Sequence, residues 1–211
     1  MAFEGFTNED FEIFDLPDFG ARMPVLKANI TPKLKQIGEE ILPRVSRIAG
    51  HKIHPHVAQH LRRSVNPAEE TWVAFSREKR AYKPFVHLRV AINGGALKLT
   101  CHLEDYARDK ETFARRLMEE SDRIGAYLAD HDSILSHDLH DPYGKPMAGR
   151  SLNAETLRDF AHRLQTIKSQ HASFAIRLDR LKVVKMSSDK LLDRCVKELR
   201  LLKPIYDLGI E

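Results

Sequence analysis

Three runs rich in β-branched and aromatic residues limit this chain most: TWVAFS at 71–76, PFVHLRVAIN at 84–93 and ALKLTCHLE at 96–104. Strands of this composition fit a pleated, half-buried surface. Asn93-Gly94-Gly95 separates the last two runs, and Asn and Gly tolerate positive φ, so a tight hairpin is expected there. Hairpin-linked neighbours favour a mainly antiparallel sheet. At 211 residues with 42% hydrophobic and 30% charged side chains, the chain can bury a real core and is not disordered.

Around these strands the apolar period lengthens to that of helices. Thr7 with Asp10 three residues on reads as the cap of a short helix. Leu26, Ile30, Leu34, Ile37, Ile41 and Val45 keep a 3–4 spacing over about 21–48. Pro32 and Pro43 fall inside that run, so two or three helical pieces are expected rather than one rod, with Gly50 as a C-cap. The run HPHVAQHLRR fits a strand or a short helix equally well. Residues 105–128 read as a helix, 134–139 as a short strand and 140–151 as an exposed loop. Asn153 caps a helix bearing Leu157, Phe160, Leu164 and Ile167, and SFAIRLDR at 173–180 alternates as a strand that KVVKM extends. A helix capped by Ser187 or Ser188 closes the chain, with Leu192, Cys195, Leu199, Leu202 and Tyr206 facing inward. The expected class is α+β: one domain over 1–211, with a mainly antiparallel sheet covered by helices.

Several function classes are excluded or weakened by composition. The net charge of +4 permits attraction to anions but is far from the density of a dedicated nucleic-acid binder. Cys101 and Cys195 are too few for a disulfide framework and read as reduced structural thiols. The acidic start MAFEGFTNED has no signal-peptide pattern, and no apolar run approaches a spanning helix. The expectation is a cytoplasmic protein without a membrane partner.

The segment from His54 to His87 is the densest in chemistry, with four of the eleven histidines and the only tryptophan. Arg62, Arg63, Arg77, Lys79, Arg80 and Lys83 flank the strand TWVAFS, with Tyr82 among them. Guanidinium forks suit phosphate or carboxylate, and an imidazole can donate further hydrogen bonds or move a proton. The expected site is therefore a cleft lined by His56, His60, Arg62, Arg63, Asn66, Lys79, Arg80 and Lys83 that takes a small phosphorylated or carboxylated ligand. A nucleic-acid-binding role is the alternative; Trp72, Phe75 and Tyr82 could stack on bases, although a lone Trp is more often core. A metal-dependent hydrolase using the histidines is a further alternative. His51, His54, His56 and His60, with Glu69, Glu70 or His87, resemble ligands, but no HExxH or CxxC spacing pins them. His137, Asp138, His140 and Asp141 read as a solvated loop. Cys101 and His102 should point to opposite faces of a strand, and no phosphate-cradling glycine loop is present. No cofactor, catalytic residue or oligomeric state follows from these patterns.

Long blocks carry a family likeness. FTNEDFEIF, ARM with PKLKQIG, PHVAQHLRRSVNPAEETWVAF, KRAYK and RLQTIK stand in this order over nearly the whole chain. In these the chain resembles the YktB-like family of bacterial proteins. The resemblance implies a compact α+β single domain and supplies no activity, substrate or functional residue to carry over. The family pattern includes His56 and His60 but not His51, His54, His131, His137 or His140, which speaks against all of them acting together.

Overall fold

The computed structural model describes residues 2–61, 64–140 and 145–210. Seven strands among them form one antiparallel sheet: β1 (His54–Val57), β2 (Glu70–Ser76), β3 (His87–Asn93), β4 (Ala96–Leu103), β5 (Ile134–His140), β6 (Pro146–Ala148) and β7 (Ala172–Asp179). Their spatial order is β1-β2-β3-β4-β7-β5-β6. The α+β class, with an antiparallel sheet and helices, is as expected.

Helix α1 spans Asn8–Glu12, and its N-cap Thr7 forms the expected capping box with Asp10. Helix α2 runs unbroken from Phe19 to Ala49 with Pro24, Pro32 and Pro43 inside it, so the expectation of separate pieces was wrong. All three prolines lie on the solvent side, where the carbonyls they orphan can turn to water. The opposite stripe, Leu26, Ile30, Leu34, Ile37, Ile41 and Val45, is fully buried. Each proline costs about 3 kcal/mol in an unsupported helix, and each buried aliphatic side chain returns about 1.5–3 kcal/mol, so packing wins. Gly50 at φ 80° caps the end, as expected.

The register sorts every strand residue onto one of two faces. Val73 opposes Val90, Val90 opposes Leu99, and Leu99 opposes Ile176. These residues share one core with the α2 stripe, Phe113, Phe160, Leu199 and Tyr206. Gly38 lets α2 approach closely: a Cβ there would stand 2.9 Å from Val73 Cγ2 and 3.3 Å from Pro55 Cβ. The alternate residues Trp72, His87, Arg89, Lys98, His102 and Arg177 form the other face. Ala74, Ala91 and Ala175 on that face are buried yet outside the core cluster.

The β3–β4 hairpin forms as expected but by another device. Neither Gly94 nor Gly95 has positive φ. The Asn93 side-chain oxygen instead accepts from the amides of Gly95 and Ala96, at 3.0 and 2.9 Å. Residues 105–128 hold two helices, α3 (Lys110–Glu119) and α4 (Ser121–Ala129). Part of the expected 140–151 loop is strand β6 followed by a 3₁₀ turn over Gly149–Ser151. Helix α5 (Ala154–Thr166) is capped by Asn153 as expected, but Ile167 falls past its end and is 44% exposed. KVVKM does not extend the sheet: Asp179 caps a helical turn, α6 (Arg180–Val183), by accepting from the Leu181 amide. Helices α7 (Ser188–Leu201) and α8 (Lys203–Tyr206) close the fold.

Candidate functional site

The second sheet face carries the chemistry, because strand alternation puts every polar residue of β3 and β4 there. Trp72 on β2 is half-buried, and its indole N–H donates to the Tyr82 hydroxyl at 3.2 Å. Tyr82 comes from the β2–β3 connection, and its ring centroid lies 5.5 Å from His56 and 5.0 Å from His87. Burial pushes the Tyr82 phenol above its ordinary value.

Arg89 organises the floor. Its guanidinium lies 4.6 Å from the Trp72 ring and 6.0 Å from that of Tyr82. Its Nε donates to His87 Nε2 at 2.7 Å, and an Nη donates to Glu104 at 3.1 Å. His87 Nδ1 therefore carries the proton and donates to the Phe85 carbonyl at 2.7 Å. Burial, reinforced by the Arg89 charge, holds His87 well below the usual imidazole range. His102 follows on β4, its ring 5.5 Å from His87, and burial with the Arg89 charge lowers it to about 4. Burial alone would raise the Glu104 carboxyl. The His102 ring, its Nε2 3.7 Å from Oε2, and the charges of Arg89 and Lys83 hold it at about 2 instead. A buried arginine, two neutral imidazoles and a carboxylate are costly to desolvate, and such clusters gather at functional sites.

At one end of this face the row continues to His171, 5.9 Å from His102. Asp138 Oδ1 lies 2.8 Å from His171 Nε2, and Asp138 also accepts the Ser173 amide. That hydrogen bond raises the His171 pKa. At the other end, the chain leaving β1 forms a pocket of about 370 Å³ lined by residues 57–61, Trp72, Tyr82 and Lys83. His60 stands there at φ 51°, the one non-glycine residue with positive φ among the described residues. Its Nε2 lies 3.1 Å from Thr71 Oγ1 and its ring is edge-on to Trp72 at 5.5 Å. Backbone held in this region is strained unless its surroundings fix it, and such residues cluster at ligand clamps.

The structure brings together only part of the expected cleft. His60 and Lys83 line the pocket, and His56 flanks Tyr82 while its Nε2 bonds the Glu78 carbonyl at 2.8 Å. Burial lowers the His56 pKa. Asn66, Lys79 and Arg80 are exposed on the connections around β2 and do not line the pocket. Arg77 turns away to Asp109 at 2.6 Å. Arg62 and Arg63 lie outside the described residues. Trp72, weighed above as core, is a pocket wall.

Among the described residues the histidines do not gather as a metal centre. His51 pairs with the Tyr206 hydroxyl at 3.1 Å, far from His56 in its contacts, and no group of three or more His, Cys, Asp or Glu among the described residues is placed to hold an ion. The Asp138 side chain, read as solvated, is only 2% exposed; Asp141 lies outside the described residues. Cys101 and His102 do point to opposite faces, and both cysteines are buried thiols, Cys195 raised to about 12 by burial. No helix among the described residues is long and apolar enough to cross a membrane. Sequence reasoning missed Arg89, His102, Glu104 and His171. The signal was the polar alternation His87-x-Arg89 and Thr100-x-His102-x-Glu104, which marks a second sheet face that is not simply solvated.

Comparison with known proteins bears out the family likeness. Residues 6–206 match a family model described as a domain of unknown function, DUF1054. A UPF0637 protein of Bacillus velezensis is 32% identical over 205 residues, covering 96% of this chain and 95% of the relative. UPF0637 proteins of Bacillus mycoides and Bacillus thuringiensis are 30% and 29% identical over 208 residues, covering 99% of each chain.

Proposed function

We propose that this chain, which belongs to the DUF1054 family, binds a small anionic ligand in the pocket walled by Trp72, Tyr82 and residues 57–61. Lys83 is the observation that carries the reading. It lines the pocket and makes no ion pair among the described residues, while its charge reaches the Glu104 carboxylate. A phosphate or carboxylate entering there meets an ammonium group with the positive Arg89 system behind the ring wall. The pocket's volume falls within the usual range for small-molecule sites. The face is also pre-organised, since Trp72, Tyr82 and Arg89 brace one another before any ligand arrives.

A thermal-shift panel of phosphorylated and carboxylated metabolites tests this reading, because a ligand that prefers the native state raises its melting temperature. At least one compound should stabilise the wild-type protein and lose most of that effect with Lys83→Gln. A full panel without a shift, or a shift untouched by Lys83→Gln, would remove the proposal.

A further inference from the structure

The pocket's lining is mostly rings and aliphatic surface, and this says what the body of the ligand is. Resting on the anion-binding reading above, we propose that the ligand is a planar aromatic or heteroaromatic ring bearing its negative charge on a short arm. The ring packs against the Trp72 and Tyr82 wall and the charge meets Lys83.

Three of the lining side chains are themselves rings, Trp72, Tyr82 and His60, and Val57, Ala58 and Leu61 add aliphatic surface. A sugar could also lie on such a wall, but its hydroxyls need partners, and several of the lining polar groups are already engaged. The Trp72 N–H goes to Tyr82, the Gln59 amide donates to the Val57 carbonyl at 3.2 Å, and His60 Nε2 bonds Thr71. Hydroxyls brought here would lose water with few groups to replace it, which penalises binding. A flat π-system needs no such partners and gains from stacking.

The wall is also stiff. The Arg89 guanidinium lies on the Trp72 ring, Tyr82 is flanked by His56 and His87, and the positive φ of His60 fixes where the loop turns. Little ordering is left for a ring ligand to impose, so the contact area converts efficiently into affinity. Among the described residues, Lys83 is the lining cation without an ion pair, which suits one charged arm. A nucleic-acid strand would instead need a track of cations, and Lys98 and Arg177 elsewhere on the face are engaged with Glu70 and the Gly95 carbonyl.

Trp72 is the only tryptophan in the chain, so intrinsic fluorescence reports from the pocket wall. The full-length protein is titrated with phenyl phosphate, inorganic phosphate and phenol, with phenylacetate as the carboxylate counterpart. Phenyl phosphate or phenylacetate should change the emission and bind roughly 10- to 100-fold more tightly than inorganic phosphate, the range expected for one stacked ring. Tyr82→Leu should erase most of that ring advantage, so that phenyl phosphate binds little more tightly than inorganic phosphate. Tyr82→Phe, which keeps the ring and is the milder change, should retain it. Inorganic phosphate binding as tightly as phenyl phosphate would overturn the ring inference and leave the anion reading intact. If no anionic probe bound, both would fall. Steeply salt-dependent binding of a single-stranded oligonucleotide, with phenyl phosphate inert, would overturn the inference in favour of a nucleic-acid surface.

Discussion

The polar face should make this protein sensitive to mild acid, and His102 sets the size of the effect. In the fold its pKa is lowered to about 4 by burial and by the Arg89 charge; in the unfolded chain it returns to about 6.5. The unfolded state therefore binds protons first as pH falls, so stability from the neutral ring is fully present above pH ~6.5 and is lost through the window down to ~4. The linkage relation gives a loss of about 2 kcal/mol by pH ~5 and about 3 kcal/mol by pH ~4. His87, held low by burial and Arg89, adds in the same direction. His171 works the other way. Its pKa is raised by Asp138, so its contribution is present below the unfolded value and lost as pH rises through the folded one. Its side chain is 50% exposed, and solvent screening makes that term small. Urea unfolding of the wild type and of His102→Gln, measured from pH 7.5 down to 4 (about the span of the two pKa values), reads the effect directly. The variant should be less stable near neutrality because its amide meets Glu104 and Arg89 imperfectly, yet its stability should fall with pH by about 2–3 kcal/mol less than that of the wild type. Parallel curves for the two proteins would refute the argument, since they would mean that His102 titrates alike folded and unfolded.

Two further perturbations probe the frame and the far end of the face. Gly149→Ala should destabilise by about 1–3 kcal/mol or more, because a Cβ would sit 2.5 Å from the His131 carbonyl oxygen and closer still to that of Leu128. These are backbone atoms that cannot swing aside, and a melting temperature within a degree of wild type (against the several degrees expected) would show that the turn after β6 is looser than described. Asp138→Asn should bring the His171 pKa down toward its ordinary value, because the hydrogen bond from the carboxylate is what raises it. Histidine NMR titration checks this, and an unmoved His171 would place its partner elsewhere.

Family membership, the antiparallel β3–β4 hairpin, the capped helices and the buried stripe of α2 were all legible in the sequence. Each rests on local information: apolar period, caps and residue types within one or two turns of chain. That same locality misled where long-range packing outweighs a local penalty. Pro32 and Pro43 read as breaks, yet the α2 stripe docks along β1 and β2 and holds the helix together. Val183 and Val184 read as strand, yet Asp179 caps a helical turn that buries Val183 against the core.

The site was half legible for a related reason. Residue types between His54 and His87 showed that cations, imidazoles and rings are dense there, and His60, Lys83, Trp72 and Tyr82 do share a pocket. Which other residues join them depends on strand register, and register is settled by pairing over distances the local pattern does not contain. Arg89 opposes Thr100, which opposes Ala175, and that ladder carries Arg89, His102, Glu104 and His171 onto the face that Trp72 occupies. The chain's composition determined that an antiparallel sheet with one apolar face would form. Only the folded sheet decided that its other face would desolvate an arginine between aromatic rings, because that requires β2, β3, β4 and β7 to meet side by side.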